Sequence, residues 1–100
     1  MHELTRCEQM IMRVVWSQTD PISTSKLLAI LKEDGKEYAR TTVVTFLQRL
    51  ITKGFVTTER IGRSSYVTAS KSKEDYLRGY VQEFTAFWFD GDTERLNELL

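Results

Sequence analysis

Apolar positions recur along this chain at helical spacing three times, then give way to two β-branched runs, then return to helical spacing. Leu4, Cys7, Ile11, Val14 and Val15 predict one buried stripe on a first helix. Thr5-x-x-Glu8 opens that helix as a capping box, in which hydroxyl and carboxylate each satisfy an orphan backbone N–H. Cys7 lies on the stripe and reads as a small core residue. Ser17-Gln18-Thr19-Asp20-Pro21 ends the helix, because proline and its predecessor both resist helical geometry. Ile22 is expected as a one-residue strand bridge, after which Ser23 caps a second helix with Leu27, Leu28 and Leu31 on its apolar face. Asp34-Gly35 stops it. A third helix is predicted from Thr41 to Lys53, ended by Gly54, with Val43, Phe46, Leu47, Leu50 and Ile51 facing the core.

The period then changes. Phe55 to Ile61 and Ser64 to Ala69 are rich in β-branched residues and read as strands. Gly62-Arg63 between them is a two-residue hairpin turn with glycine first, suited to type II′ geometry, and the tip would present Arg60, Arg63 and Ser64. Three helices followed directly by a β-hairpin is the element order of a winged helix, with the third helix as the recognition helix of a helix-turn-helix. Beyond a hinge at Ser70 to Lys73, Ser72-x-x-Asp75 caps a further helix with Leu77, Tyr80, Val81, Phe84, Phe87 and Trp88 on one broad face. Asp90-Gly91-Asp92-Thr93 breaks it, and Leu96, Leu99 and Leu100 open a last amphipathic stretch. The fold class is therefore mainly α with a small β-hairpin (α+β): a winged helix-turn-helix domain over residues 1–71 and a C-terminal helical dimerisation region over residues 72–100. So short a tail has too little mass to bury its own large apolar groups. Packing back on the winged domain is one solution; pairing with a second copy is the other, and pairing is expected.

Composition narrows the chemistry. One hundred residues with 41% hydrophobic content suit one soluble domain with a small appendage. A lone cysteine, Cys7, makes no intrachain disulfide, and the one histidine, His2, sits at the N-terminal extremity. A Cys/His zinc cluster and a histidine-based triad are excluded on those counts, and no glycine-rich phosphate loop or nucleophile–base pair stands in for them. The reading is not an enzyme, with no metal and no cofactor. Met10 to Trp16 is interrupted by Arg13, is too short to span a bilayer, and lacks the flanks of a signal peptide, so a cytoplasmic chain without membrane association is expected.

Charge changes the picture more. The formal net charge is zero, yet residues 40–73 carry seven basic side chains and one acidic, whereas residues 74–100 carry two basic and seven acidic. A basic middle beside an acidic tail marks either one polyanion-binding face or a chance clustering on a solvated surface. The third helix adds to this. Opposite its core face stand Thr41, Thr45, Gln48 and Thr52, flanked by Thr42, Val44 and Arg49: a short, polar face without charge at its centre, where a solvated helix usually carries Glu and Lys. In a major groove, Thr and Gln can hydrogen-bond base edges, and Val or Thr methyls can touch thymine methyls. Arg40 and Arg49 would meet phosphates, with the backbone N–H groups at the Ser23 helix start, and Arg60 and Arg63 would reach the flanking backbone or minor groove. Alternatively, the threonines simply cap and solvate a helix, and the domain is a protein-interaction module docking a partner through its aromatic, acidic tail.

Thr41-Thr42-Val43-x-Thr45-x-Leu47-x-Arg49-Leu50-x-x-Lys53-Gly54-Phe55-Val56 resembles the recognition-helix signature of the penicillinase repressor family, the bacterial repressors of β-lactamase and related genes. Glu8-x-x-Ile11-Met12-x-x-Val15-Trp16 is similar to that family's first helix, Gly62-Arg63-Ser64-Ser65-Tyr66 to its wing, and Phe84 to Gly91 to the start of its dimerisation region. The resemblance implies a homodimeric repressor on double-stranded DNA, at a pseudo-palindromic operator with one wing-and-helix unit per half-site. It also implies an inactivating protease that cuts the dimerisation region, or metal relief in a copper-responsive branch whose C-terminal cysteine cluster this sequence lacks. Two departures stand out. Val44 occupies a position where some members carry a long basic residue, and Glu94 to Leu100 shows no Asn-Phe-like cleavage match. The tail also stops before a complete three-helix dimerisation region, which implies a truncated chain or a short member.

Overall fold

The computed structural model describes residues 4–100, so the reading of His2 lies outside the described residues. The elements run α1 (Arg6–Trp16), β1 (Ile22–Ser23), α2 (Thr24–Glu33), α3 (Arg40–Thr52), β2 (Val56–Ile61), β3 (Ser64–Ala69), α4 (Lys73–Phe89) and α5 (Thr93–Leu99). The hairpin is joined by β1, giving a three-stranded antiparallel sheet in the order β1-β3-β2. Ile22 pairs with Val67 and Ser23 with Tyr66, so the expected one-residue bridge is two residues long.

Local signals explain where elements start. Thr5 and Glu8 close the capping box in both directions: Thr5 N–H donates to Glu8 Oε1 at 2.8 Å and Glu8 N–H to Thr5 Oγ1 at 3.3 Å. Ser23 and Ser72 cap α2 and α4 through their hydroxyls. The third helix begins one residue earlier than expected, at Arg40, behind an Ala39 N-cap that makes no side-chain cap bond. At the wing tip Gly62 has φ +64° while Arg63 is not left-handed, the pattern of a II′ turn rather than I′.

Leu4, Ile11, Met12, Val14 and Val15 of the first helix and its lead-in, Ile22, Leu27 and Leu31, Val43, Leu47 and Leu50, and Phe55, Val56 and Val67 form one buried core. Two expectations are corrected. Ile51 is exposed, because the buried stripe of α3 follows Val43, Leu47 and Leu50 and Ile51 lies a further 100° round the helix, where no element covers it. Glu8, expected only as a cap, is fully buried.

Beyond the sheet, α4 docks on the winged domain through its first turns. Tyr76 packs between Trp16 and Phe55, each ring centroid 5.6 Å away, and Trp16 Nε1–H donates to the Lys71 carbonyl at 2.8 Å. Past this anchor the helix leaves the body, and the molecule is elongated, 51 × 25 × 23 Å. Asp90 and Gly91 are both left-handed (φ +52° and +84°), turning the chain so that α5 folds back along α4. Asp92 caps α5 by accepting from the N–H groups of Glu94 and Arg95. No helix of the described residues is long and apolar enough to cross a membrane.

Candidate nucleic-acid interface

Three elements distant in sequence meet at one end of the winged domain. The first turn of α2, the first residue of α3 and the tip of the β2–β3 hairpin enclose a cleft of about 270 Å³ lined by Ser23, Thr24, Ser25, Arg40, Arg60, Arg63, Ser64 and Ser65. Five of the residues expected to contact a polyanion therefore lie together: Ser23, Arg40, Arg60, Arg63 and Ser64. The cleft's walls are fixed by buried contacts. Thr24, itself buried, donates its hydroxyl to the Ser65 carbonyl at 3.4 Å, and the Ser23–Tyr66 pairing ties the start of α2 to the wing strand.

Arg40 is exposed but has a partner. Its Nη2 donates to Ser25 Oγ at 2.7 Å, which holds the guanidinium between α2 and the wing. The Ser23 hydroxyl is occupied as a cap, accepting from Lys26 N–H at 3.1 Å, so the start of α2 turns backbone N–H groups rather than this side chain toward the cleft. Arg60 Nε donates to the Gly62 carbonyl at 3.4 Å across the turn. Ser25, Thr24 and Ser65 were not expected here. Ser25 stands two residues after the Ser23 cap, a signal that places it in the first turn of α2, but its partnership with Arg40 joins residues 15 apart and has no sequence signature.

Along α3 the rest of the expected set is exposed on one side. Thr41, Val44, Thr45, Gln48 and Arg49 are open to solvent and Thr42 is half-buried. Thr45, Gln48, Arg49, Thr52 and Lys53 line a second, shallow surface. The Arg49 guanidinium lies over the Phe46 ring, 5.6 Å from its centroid. Two hydroxyls on this side are turned back on the helix: Thr45 Oγ1 donates to the Thr41 carbonyl at 3.0 Å and Thr52 Oγ1 to the Gln48 carbonyl at 3.1 Å.

Beneath this surface lies the buried Glu8. Its Oε1 accepts from Thr5 N–H and from Lys53 Nζ, each at 2.8 Å, so the start of α1 is tied to the end of α3. Burial works against its charge and is the largest influence, but Lys53 and the Thr5 N–H and hydroxyl together outweigh it, and the carboxyl titrates below the ordinary value.

The tail residues expected to pair with a second copy divide. Leu77, Tyr80, Val81, Phe87, Trp88 and Leu99 are exposed, Phe87 and Trp88 at 75% and 65%, whereas Phe84 and Leu96 are half-buried. Packing back on the winged domain therefore does not cover this face. Among the described residues no group of three or more His, Cys, Asp or Glu is placed to hold a metal ion.

The geometry is that of a winged helix with a basic cleft beside a third helix whose exposed face is polar and without charge at its centre, and comparison with known proteins agrees. The penicillinase repressor family model matches residues 4–98. This chain belongs to the penicillinase repressor family. The family and fold are those of a DNA-binding transcriptional repressor, which is not an enzyme class. Among solved structures, the DNA-binding domain of the repressor BlaI, determined in solution, is similar with a TM-score of 0.64 and 27% identity, over 74% of this chain and 88% of that one. An uncharacterized 16.5 kDa protein in the ptsI 3′ region of Latilactobacillus sakei is 33% identical over 81 residues, which are 81% of this chain and 54% of that protein. The chain thus spans about half the length of the curated relative it matches.

Proposed function

We propose that this family member is a sequence-specific transcriptional repressor that acts as a homodimer on a pseudo-palindromic operator in the bacterial cytoplasm, one wing-and-helix unit per half-site. The carrying observation is the convergence of Arg40, Arg60 and Arg63 on one cleft beside an exposed face of α3 that is polar and without charge at its centre. A cleft of arginines next to a helix start suits backbone phosphates, and a short polar helix face suits base edges.

In this reading Thr41, Thr42, Val44, Thr45 and Gln48 enter a major groove. Arg40, Arg49 and the N–H groups after Ser23 hold phosphates on either side. Arg60, Arg63 and Ser64 reach the flanking backbone or minor groove from the wing. Residues 1–71 do the reading and residues 72–100 join two copies through Leu77, Tyr80, Val81, Phe84, Phe87, Trp88, Leu96 and Leu99. The exposure of Phe87 and Trp88 supports that pairing, since contiguous apolar surface of this kind marks an interaction site.

The test is charge reversal at the wing, Arg60→Glu with Arg63→Glu. DNA affinity should fall at least about tenfold, as two phosphate contacts become two repulsions, while sedimentation shows the same dimer. Unaltered DNA binding would remove the wing from the interface.

A further inference from the structure

We infer that the recognition helix of this protein reads A·T base pairs, with the methyl groups of Val44 and Thr45 against thymine methyls and the Gln48 amide on an adenine. The inference rests on the DNA-binding reading above and says which bases that surface fits. Its starting point is the supply of hydrogen-bond donors. Guanine presents two acceptors, N7 and O6, to the major groove, so reading it takes two donors, usually the fork of an arginine or a lysine. The middle of α3 has no such group. From Thr41 to Gln48 there is no basic residue. Arg40, before it, is held by Ser25, and Arg49, after it, lies over Phe46.

Thr41 and Thr42, at the first turn, each offer a single hydroxyl donor rather than the two that guanine takes, and the threonines further along are spent on the helix itself. The Thr45 hydroxyl proton is committed to the Thr41 carbonyl and that of Thr52 to the Gln48 carbonyl. With its proton so engaged, a threonine offers the groove an acceptor and a methyl group but no donor. Gln48 is then the central donor of the exposed face, and its amide carries a donor and an acceptor side by side, the complement of adenine N7 and N6. Val44 is 40% exposed at the flank of this polar surface, one turn before Gln48. Such a side chain gains nothing from water and gains from contact with a thymine methyl. Against a G·C pair the same face would strip water from guanine N7 and O6 without replacing it, a loss of roughly five- to a hundredfold in affinity for each buried acceptor left unpaired.

The experiment is selection by the full chain from a duplex library with a randomised core, followed by single-atom-group changes in the enriched site. Retention of the unselected pool at low salt reports DNA binding as such; no retention would sink the DNA-binding reading and this inference together. Given retention, the enriched half-sites should carry A·T pairs in the columns protected by α3. Replacing thymines one at a time with deoxyuridine, which removes only the methyl, should weaken wild type about fourfold at one position and leave Val44→Ala unaffected there. Gln48→Ala should abolish the adenine preference, with a loss of about tenfold or more on the enriched site and little on the starting pool. Guanine in the α3 columns, or an equal deoxyuridine penalty in wild type and Val44→Ala, would overturn the inference while leaving DNA binding intact. Circular dichroism and thermal melting of both variants, each changed at an exposed position, exclude misfolding as the cause.

Discussion

Glu8 shows how much one side chain can do in a fold this small. Its carboxylate closes the cap of α1 and reaches Lys53, 45 residues away, while its Oε2 is buried with no hydrogen-bond partner. Glu8→Ala removes a cap and one half of an ion pair and leaves a void, so the loss of stability should be about 2–3 kcal/mol by denaturant titration. Loss of less than about 0.5 kcal/mol would mean that solvent reaches the site and replaces the carboxylate. The pH dependence follows from the lowered folded-state pKa. The unfolded chain binds a proton at higher pH than the folded one, so the stabilisation is complete above the unfolded value and drains away as pH falls through the folded one. Glu8→Ala should accordingly flatten the acid limb of the stability profile below about pH 4.5. The local half of this residue's role was legible, because Thr5-x-x-Glu8 is a pattern within four residues. Its pairing with Lys53 was not, and neither was its burial: a glutamate beside Cys7 carries no sequence mark that a lysine of another helix will come to meet it.

At the scale of elements, the strongest sequence signals were those whose physics is local. Caps at Thr5, Ser23 and Ser72, the stop at Asp34-Gly35 and the turn at Gly62-Arg63 all lie where patterning put them, since each depends on a few neighbouring dihedrals and orphan N–H groups. What joins the elements was hidden. Thr24 to Ser65 and Arg40 to Ser25 are bonds across 41 and 15 residues that bring the start of α2, the first residue of α3 and the wing to one cleft, and Trp16 to Lys71, across 55, fixes the hinge before α4. The same limit explains Ile51: periodicity gives the angle of a side chain round its helix, not whether another element waits at that angle. The anchoring of α4 makes a prediction at this scale. Tyr76→Ala should cost about 2 kcal/mol, the ring being half-buried between Trp16 and Phe55, and should free the tail from the winged domain while leaving the cleft residues in place. Slowed tumbling without loss of DNA affinity would not fit; faster local motion of residues 74–89 in amide relaxation, with the wing signals unmoved, is the expected outcome.

For the whole molecule, a basic middle, an acidic tail and an elongated shape make sense together. The basic cleft is lined by the α2 start, Arg40 and the wing, whereas the exposed apolar residues of the tail lie on α4 and α5 and line no part of that cleft, so the proposed pairing and the proposed DNA contact use different residues. Phe87→Asp with Trp88→Asp places two charges on the most exposed aromatic residues of that tail. The variant should sediment as a folded monomer and lose operator affinity by about a hundredfold, because two half-sites are no longer held together, while a single half-site duplex is bound as before. A dimer that survives both substitutions would place the interface elsewhere.

Whether the arginine cleft and α3 form a DNA-reading surface is decided by fluorescence anisotropy. The titration compares duplex DNA from the protein's own promoter with a scrambled duplex of equal length at two salt concentrations. A DNA-reading surface gives tighter binding to the promoter duplex and a steep loss of affinity for both duplexes as salt rises, from counterion release at the phosphate contacts. Equal, weak and salt-independent binding to the two duplexes would contradict it.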